Sequence, residues 1–321
     1  MKSKLVGASD LHLLSVNPVC RKDSLVDVQW DKLKEIFLFA ARNQADVLIA
    51  GDLTDKSNNY WLINRLSALL RDYKGLGVDV YAVFGQHDMK YRNKEDTNLD
   101  ILSSAGLVTI LGSTPEKGAH FNVYGASWMG EVPKANPDDI NLLVIHSPLS
   151  PAALFHGHNY INPSQFIEDH PEYNLILCGD VHRTFIEESG PAVFLNSGPL
   201  LREEADEYYM IHKPGFFFID MNDVKIEFRE IKHRPSSEVI TRMHIERKKI
   251  KEKSAAIADT AHFLDELKRR TSGGRMMNIQ ERIKAKISSG TASEKAKSIL
   301  ECLLNEKDLS QWLTGKQERT Q

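Results

Sequence analysis

Lys4-Leu5-Val6-Gly7-Ala8-Ser9-Asp10-Leu11-His12 is the stretch on which the reading of the fold turns. Lys4 to Ala8 is a short apolar run that reads as a buried strand, and Asp10 and His12 stand just beyond its end. In an α/β sheet that position is the C-terminal strand edge, where ligands bind. Two residues apart near a strand end, a carboxylate and an imidazole point roughly the same way, as a metal site requires. Taken singly, the pair fits equally well a turn aspartate beside a surface histidine. The rest of the chain decides between the two.

Four further apolar runs end in the same manner. Asp46 to Ala50 leads to Gly51-Asp52, and Asp79 to Phe84 leads to Gly85-Gln86-His87-Asp88. Asn141 to Ile145 leads to His146, and Tyr173 to Cys178 leads to Gly179-Asp180-Val181-His182. Turn chemistry alone would choose Gly, Pro, Asn and Ser more evenly, so the repetition argues for a shared site on one sheet edge. Between the runs, helical spacing predicts helices over Val28 to Asn43, Trp61 to Tyr73 and Leu99 to Ala105. Val108 to Leu111, Phe121 to Tyr124, Ala192 to Leu195, Gly215 to Ile219 and Val224 to Ile231 read as further strands. This alternation predicts a layered α/β core of two sheets flanked by helices. A helix is also expected over Pro151 to Phe155; His156 and His158 after it are loop residues or lie along a substrate groove.

The division expected is a core over residues 1–200, then a stretch over 201–235, then a helical region over 236–321. The stretch either completes the core with strands or leads into a small capping domain. In the helical region, patterns cover Glu238 to Arg270, Arg275 to Ile287 and Ala292 to Leu304, with a break at Ser272-Gly273-Gly274. Thr291 to Glu294 has the form of a capping box. Lys316 to Gln321 is expected to be disordered.

The net charge of −3 conceals an asymmetry: residues 236–321 hold 18 Lys and Arg against 12 Asp and Glu, leaving 23 against 32 for the remainder. An acidic body suits metal-binding carboxylates, and a basic tail suits an anionic or acidic partner or a set of solvated helix faces. No apolar run approaches the ~20 residues of a membrane-spanning helix, so no membrane association is expected. Cys20, Cys178 and Cys302 lack zinc-like spacing and suit free thiols in a reducing compartment. Met1-Lys2-Ser3-Lys4 passes straight into a strand without a signal-peptide pattern, and a cytoplasmic location is expected.

The collected side chains are Asp10, His12, Asp52, Gln86, His87, His146, Asp180 and His182. They offer nitrogen and oxygen donors without thiolate, a set suited to Mn²⁺, Fe²⁺ or Zn²⁺. Their number exceeds what one ion needs and matches two ions sharing a bridging carboxylate, the arrangement that clamps an in-line phosphoryl displacement.

Asp10-x-His12, Gly51-Asp52, Gly85-Gln86-His87-Asp88, His146 and Gly179-Asp180-x-His182 resemble, in order and spacing, the five motifs of the calcineurin-like metallophosphoesterases. Within that superfamily the chain resembles the SbcD-type nucleases of DNA double-strand-break repair. The stretches Asn196-Ser-Gly-Pro-Leu-Leu-Arg202 and Lys213-Pro-Gly-Phe-Phe-Phe-Ile219 carry this second likeness, resembling the segment by which that family enters its capping domain. The resemblance implies that Asp10, His12 and His182 bind a first metal, Asp52 bridges, and Gln86, His146 and Asp180 bind a second. It gives His87 the catalytic role of stabilising or protonating the leaving oxygen, and Asp88 beside it is expected to orient the ring.

Two residues depart from the family pattern, which has Asn at Gln86 and His at Asp180. Gln86 keeps the amide oxygen with a longer reach, and Asp180 adds a hard carboxylate, tilting the pair of sites towards Mn²⁺ or Mg²⁺. The resemblance also implies DNA as substrate, a homodimer, and C-terminal helices that bind the coiled coil of an SbcC-type ATPase. A phosphatase or small-molecule phosphodiesterase, and a catalytically weak scaffold subunit of a repair or replication complex, are the competing readings.

Overall fold

A computed structural model of the chain describes residues 1–223 and 225–243, together with 284–285 and 287–289. The chain divides into a unit over Met1–Arg242 and a second over Met243–Gln321. The helices expected beyond Arg242, and the disordered end expected over Lys316 to Gln321, lie outside the described residues apart from short pieces.

The first unit contains two six-stranded mixed sheets. Four strands of the first sheet run parallel in sequence order: β1 (Lys4–Ala8), β2 (Asp46–Ile49), β3 (Val80–Ala82) and β4 (Thr109–Ile110). The crossovers hold α1 (Leu25–Asn43), α2 (Tyr60–Gly75) and α3 (Asn98–Ser104). Ser24, Asn59 and Thr97 cap these helices, each side chain accepting from a backbone N–H of the first turn.

The second sheet opens with β5 (Glu116–Lys117), antiparallel to β6 (Asn122–Ala126). Beside β6 stands β7 (Asn141–His146), and the crossover from it through α4 (Pro163–Asp169) reaches β8 (Leu175–Gly179). β9 (Phe185–Ser189) and β10 (Ala192–Asn196) form a hairpin whose second strand lies parallel to β8. The chain then passes through α5 (Glu207–Ile211) to β11 (Gly215–Asp220), which returns to the first sheet antiparallel to β1. β12 (Lys225–Glu230) follows at that edge, and α6 (Ser236–Val239) closes the described part of the unit. Residues 201–235 are therefore part of the first compact unit, and their strands extend its first sheet.

Alternation along each strand divides the core into layers. Val6, Val47 and Ile49 face α1 and α2, burying Leu33, Phe37, Leu66 and Leu70. Leu5, Leu48, Leu142, Val144 and Leu177 fill the space between the sheets. Leu143, Ile145, Ile176 and Phe194 pack outward against Phe166 of α4. Each fully buried side chain of this kind contributes roughly 1.5–3 kcal/mol. Strands buried on both faces explain why these runs read as continuous apolar segments.

One expectation is corrected. Pro151 to Phe155 is not helical; Pro151 lacks a backbone N–H and Gly157 turns the chain at φ 83°, leaving too few residues to nucleate a helix. The helix of this crossover instead begins at Pro163, capped by Asn162. The hairpin strand Phe185–Ser189 was also absent from the expected elements, its half-exposed IleGluGlu sequence giving no apolar run.

Candidate metal centre

The loops leaving β1 and β2 remain bonded to one another beyond the sheet. Asp10 donates its N–H to the Gly51 carbonyl at 3.3 Å, His12 to Asp52 at 2.9 Å and Leu13 to Leu53 at 3.1 Å. Gln29 of α1 ties down the far side of the first loop, accepting from Leu14 N–H at 2.9 Å and donating to Leu14 O at 2.7 Å. Backbone strain concentrates here: Asp10, His12, Asp52 and Asp180 have φ of 51°, 43°, 50° and 85°. Non-glycine residues in this region cost of order 1–3 kcal/mol each and cluster at functional sites.

The glycines that precede these residues give the backbones room to approach. A Cβ on Gly51 would lie 2.3 Å from His146 Nδ1, and one on Gly85 would lie 2.1 Å from Asp52 Oδ1. Gly51 thus lets the end of β2 approach His146 of the second sheet, and Gly85 lets the loops after β2 and β3 approach within the first.

Six of the expected ligands converge. Asp10, His12 and His182 have donor atoms within 4.8 Å of one another, as do Asp10, Asp52 and His146. His12 Nε2 lies 3.1 Å from His182 Nε2 and 3.6 Å from Asp52 Oδ2. His146 Nε2 lies 3.4 Å from Asp52 Oδ2 and 3.8 Å from Asp180 Oδ1. Asp180 also joins the loops by donating its N–H to Asp10 Oδ1 at 3.0 Å. Gln86, by contrast, is exposed and has no side-chain hydrogen bond among the described residues.

The donors are oriented by partners behind them. His146 Nδ1–H donates to the Ala50 carbonyl at 2.8 Å, which turns Nε2 into the cluster. His182 Nδ1 lies 2.9 Å from Tyr209 Oη on α5. Asp10 Oδ2, Asp52 Oδ2 and His146 Nε2 are buried with no hydrogen-bond partner. Burial holds His12 and His182 neutral, at about 3 and about 4, leaving their lone pairs free. Burial lifts Asp10 to about 7 against the pull of His146. Asp52 goes the other way: burial alone would raise it, but His146 at 3.4 Å, itself lifted to about 10 against burial by Asp52, and the surrounding rings hold it at about 2. Buried, unpartnered oxygen and nitrogen donors without thiolate fit divalent metal ions of the Mn²⁺ or Mg²⁺ type.

His87 stands at the edge of this cluster. Its ring meets that of His12 edge-on at 4.8 Å, its backbone N–H donates to Asp52 Oδ1 at 2.8 Å, and with His12 and Asp52 it forms a third group of close donors. The expectation that Asp88 orients His87 is corrected. The wholly buried Asp88 carboxylate accepts from Leu53, Thr54 and Gly85 N–H at 3.1–3.2 Å, clamping the loops after β2 and β3 together. The partner of His87 is Asp55, whose carbonyl accepts from Nδ1–H at 2.9 Å and whose carboxylate stands 3.6 Å away. The Asp55 side chain is the main cause of a His87 pKa raised to about 9, burial notwithstanding. Asp55 and Tyr209 were not among the residues read from the sequence. Asp55 had one faint signal, its place three residues after Asp52, whereas nothing local marks Tyr209.

Residues 3–184 match the family described as calcineurin-like phosphoesterase. No curated protein sequence matches the chain. Among solved structures, the protein TT1561 of Thermus thermophilus is similar at 13% identity and TM-score 0.46, covering 71% of this chain and 99% of its own. A dimetal phosphatase from Danio rerio is similar at 12% identity and TM-score 0.45, covering 72% and 96%. An archaeal phosphodiesterase is similar at 12% identity and TM-score 0.38, covering 71% and 99%. Likenesses this distant assign no chemistry.

Proposed function

The chain belongs to the calcineurin-like phosphoesterase family, and from that premise we propose that it is a metal-dependent phosphodiesterase acting on DNA, an SbcD-like nuclease subunit. The observation that carries the hydrolytic reading is the convergence of Asp10, His12, Asp52, His146, Asp180 and His182, with three of their polar atoms buried and unpartnered. In this reading Asp10, His12 and His182 would hold a first divalent cation, His146, Asp180 and Gln86 would hold a second, and Asp52 would serve both. Manganese is the proposed native metal, on the grounds that carboxylates outweigh soft donors. Two such ions, when bound, supply Lewis-acid stabilisation of the phosphoryl group and a nucleophile at neutral pH. His87, with Nδ1–H engaged by Asp55, leaves Nε2–H to donate to the departing oxygen.

DNA as substrate rests on the resemblance carried by residues 196–202 and 213–219. The proposed partners are a second copy of this chain and an SbcC-type coiled-coil ATPase that docks on the C-terminal segment. The excess of six positive charges over residues 236–321 favours an acidic or anionic partner for that segment. The exposure of Gln86 favours one competing reading, a scaffold whose second metal site is weak. Purified protein with Mn²⁺, offered linear duplex DNA, single-stranded DNA and a chromogenic phosphodiester, separates these. The nuclease reading expects cleavage of DNA. Turnover of the chromogenic ester alone would reduce the chain to a small-molecule phosphodiesterase, and turnover of none would favour the scaffold.

A further inference from the structure

Behind α1, away from the ligands described above, the lining of a cavity of about 320 Å³ includes five cations, Arg21, Lys32, Arg202, Lys232 and Arg234, against three carboxylates. Its volume is at the lower end of the range for small-molecule pockets. Two of its cations are buried to an unusual degree: Lys32 is 4% exposed and Arg202 3%. Neither has a carboxylate partner among the described residues. Lys32 Nζ donates to the Leu200 carbonyl at 2.7 Å. Arg202 donates to Ser236 Oγ and the Arg234 carbonyl, each at 2.6 Å, and its Nε is buried with no acceptor among the described residues.

Three carboxylates, Asp23, Asp31 and Glu35, also line the cavity, and none of them pairs with Lys32 or Arg202 among the described residues. Asp23 takes the Arg21 guanidinium through both oxygens, at 2.8 and 2.9 Å. Glu35 accepts the Lys232 backbone N–H at 3.3 Å, and Asp31 is exposed. Charged groups this deeply buried are found paired, because desolvation without a counter-charge is severe. The protein's own neutral alternative is to deprotonate Lys32, which burial, Arg202 and Arg21 already push down to about 7.

We propose that this cavity is an oxyanion site, taking a phosphate group, free or carried by a small molecule, between Lys32 and Arg202. Arg202 supplies the directed donor, Lys32 a point charge, and Lys232 on the exposed rim an approach of the same sign. The site is distinct from the candidate metal centre but adjoins it in the chain. Leu200, whose carbonyl accepts from Lys32, donates its N–H to the carbonyl of Asp10 at 3.1 Å.

The test is calorimetric titration of inorganic phosphate, and separately of AMP, into the full-length protein stripped of metal with EDTA, at fixed ionic strength. Wild-type protein is expected to bind at least one of the two. Lys32→Met is expected to weaken that binding by about tenfold or more, the loss that accompanies removal of one charge-assisted hydrogen bond. Lys232→Glu, an exposed change that the fold tolerates, is expected to weaken it several-fold and keeps the test decisive where Lys32→Met fails to fold. Asp52→Asn is expected to leave it unchanged. Absence of binding to metal-free wild-type protein would mean that Lys32 is simply neutral, and would overturn the proposal. Loss of binding in Asp52→Asn with retention in Lys232→Glu would place the anion at the other site and overturn it equally.

Discussion

His87 owes its charge to a side chain three residues past Asp52. Asp55 contacts it through both carbonyl and carboxylate, and its pKa is raised to about 9. A proton donor must be protonated to act, so activity that depends on His87 holds below its pKa and falls as pH rises through it, and Asp55 sets that limb higher. Asp55→Asn removes the charge that sustains the imidazolium. The alkaline limb of the pH–rate profile is then expected to move down by about one pH unit or more, with the acid limb little changed. An unmoved limb would detach Asp55 from that proton. Gln86 makes a contrasting case. It is exposed, and its amide is one methylene longer than the family's Asn. Gln86→Asn is expected to preserve or raise turnover; an inactive variant with unchanged metal content would mean that Gln86 has another role.

At the level of elements, the site is made by loops that continue the pairing of the strands they leave. Asp10, His12 and Asp52 hold strained backbones because the loops after β1 and β2 bond to each other and Asp88 fastens the second to the loop after β3. Gly51 is a tight point, at φ 81° and against the His146 ring. Gly51→Ala is therefore expected to lower stability by about 1–3 kcal/mol and to displace His146, read as a lowered denaturation midpoint together with weakened metal binding.

Much of this was readable from the chain. Strands buried on both faces are unbroken apolar runs, and the polar residues ending them stand out against that background. The six converging ligands could be picked out because each sits at or just after the end of such a run. What escaped depended on contacts distant in sequence. Asp88 looked like a partner for His87 by adjacency, yet its carboxylate turns inward to three backbone N–H groups. Tyr209 reaches His182 from a five-residue helix with no apolar period of its own. The false helix over Pro151 to Phe155 came from composition that a proline and a glycine override.

On the scale of the whole molecule, two sheets contribute the two halves of one centre. The first sheet supplies Asp10, His12 and Asp52 from the ends of β1 and β2, and the second supplies His146, Asp180 and His182 from the ends of β7 and β8. Among the described residues no helix is long and apolar enough to cross a membrane. A centre assembled across the sheets links metal binding to the stability of the unit: a ligand at about 100 times its Kd adds about 2.7 kcal/mol. Chelation is accordingly expected to lower the melting temperature of wild-type protein and to leave that of Asp52→Ala almost unmoved.

The most direct measurement is the metal content of protein equilibrated with Mn²⁺ and freed of excess, determined by elemental mass spectrometry for wild type and Asp52→Ala. Asp52 lies 3.6 Å from His12 and 3.4 Å from His146, so its loss should impair both positions at once. The expected result is two manganese ions per wild-type chain and fewer than one in Asp52→Ala that is still folded. Wild-type protein that retains no manganese, or a folded Asp52→Ala that still retains two, would contradict the two-metal centre.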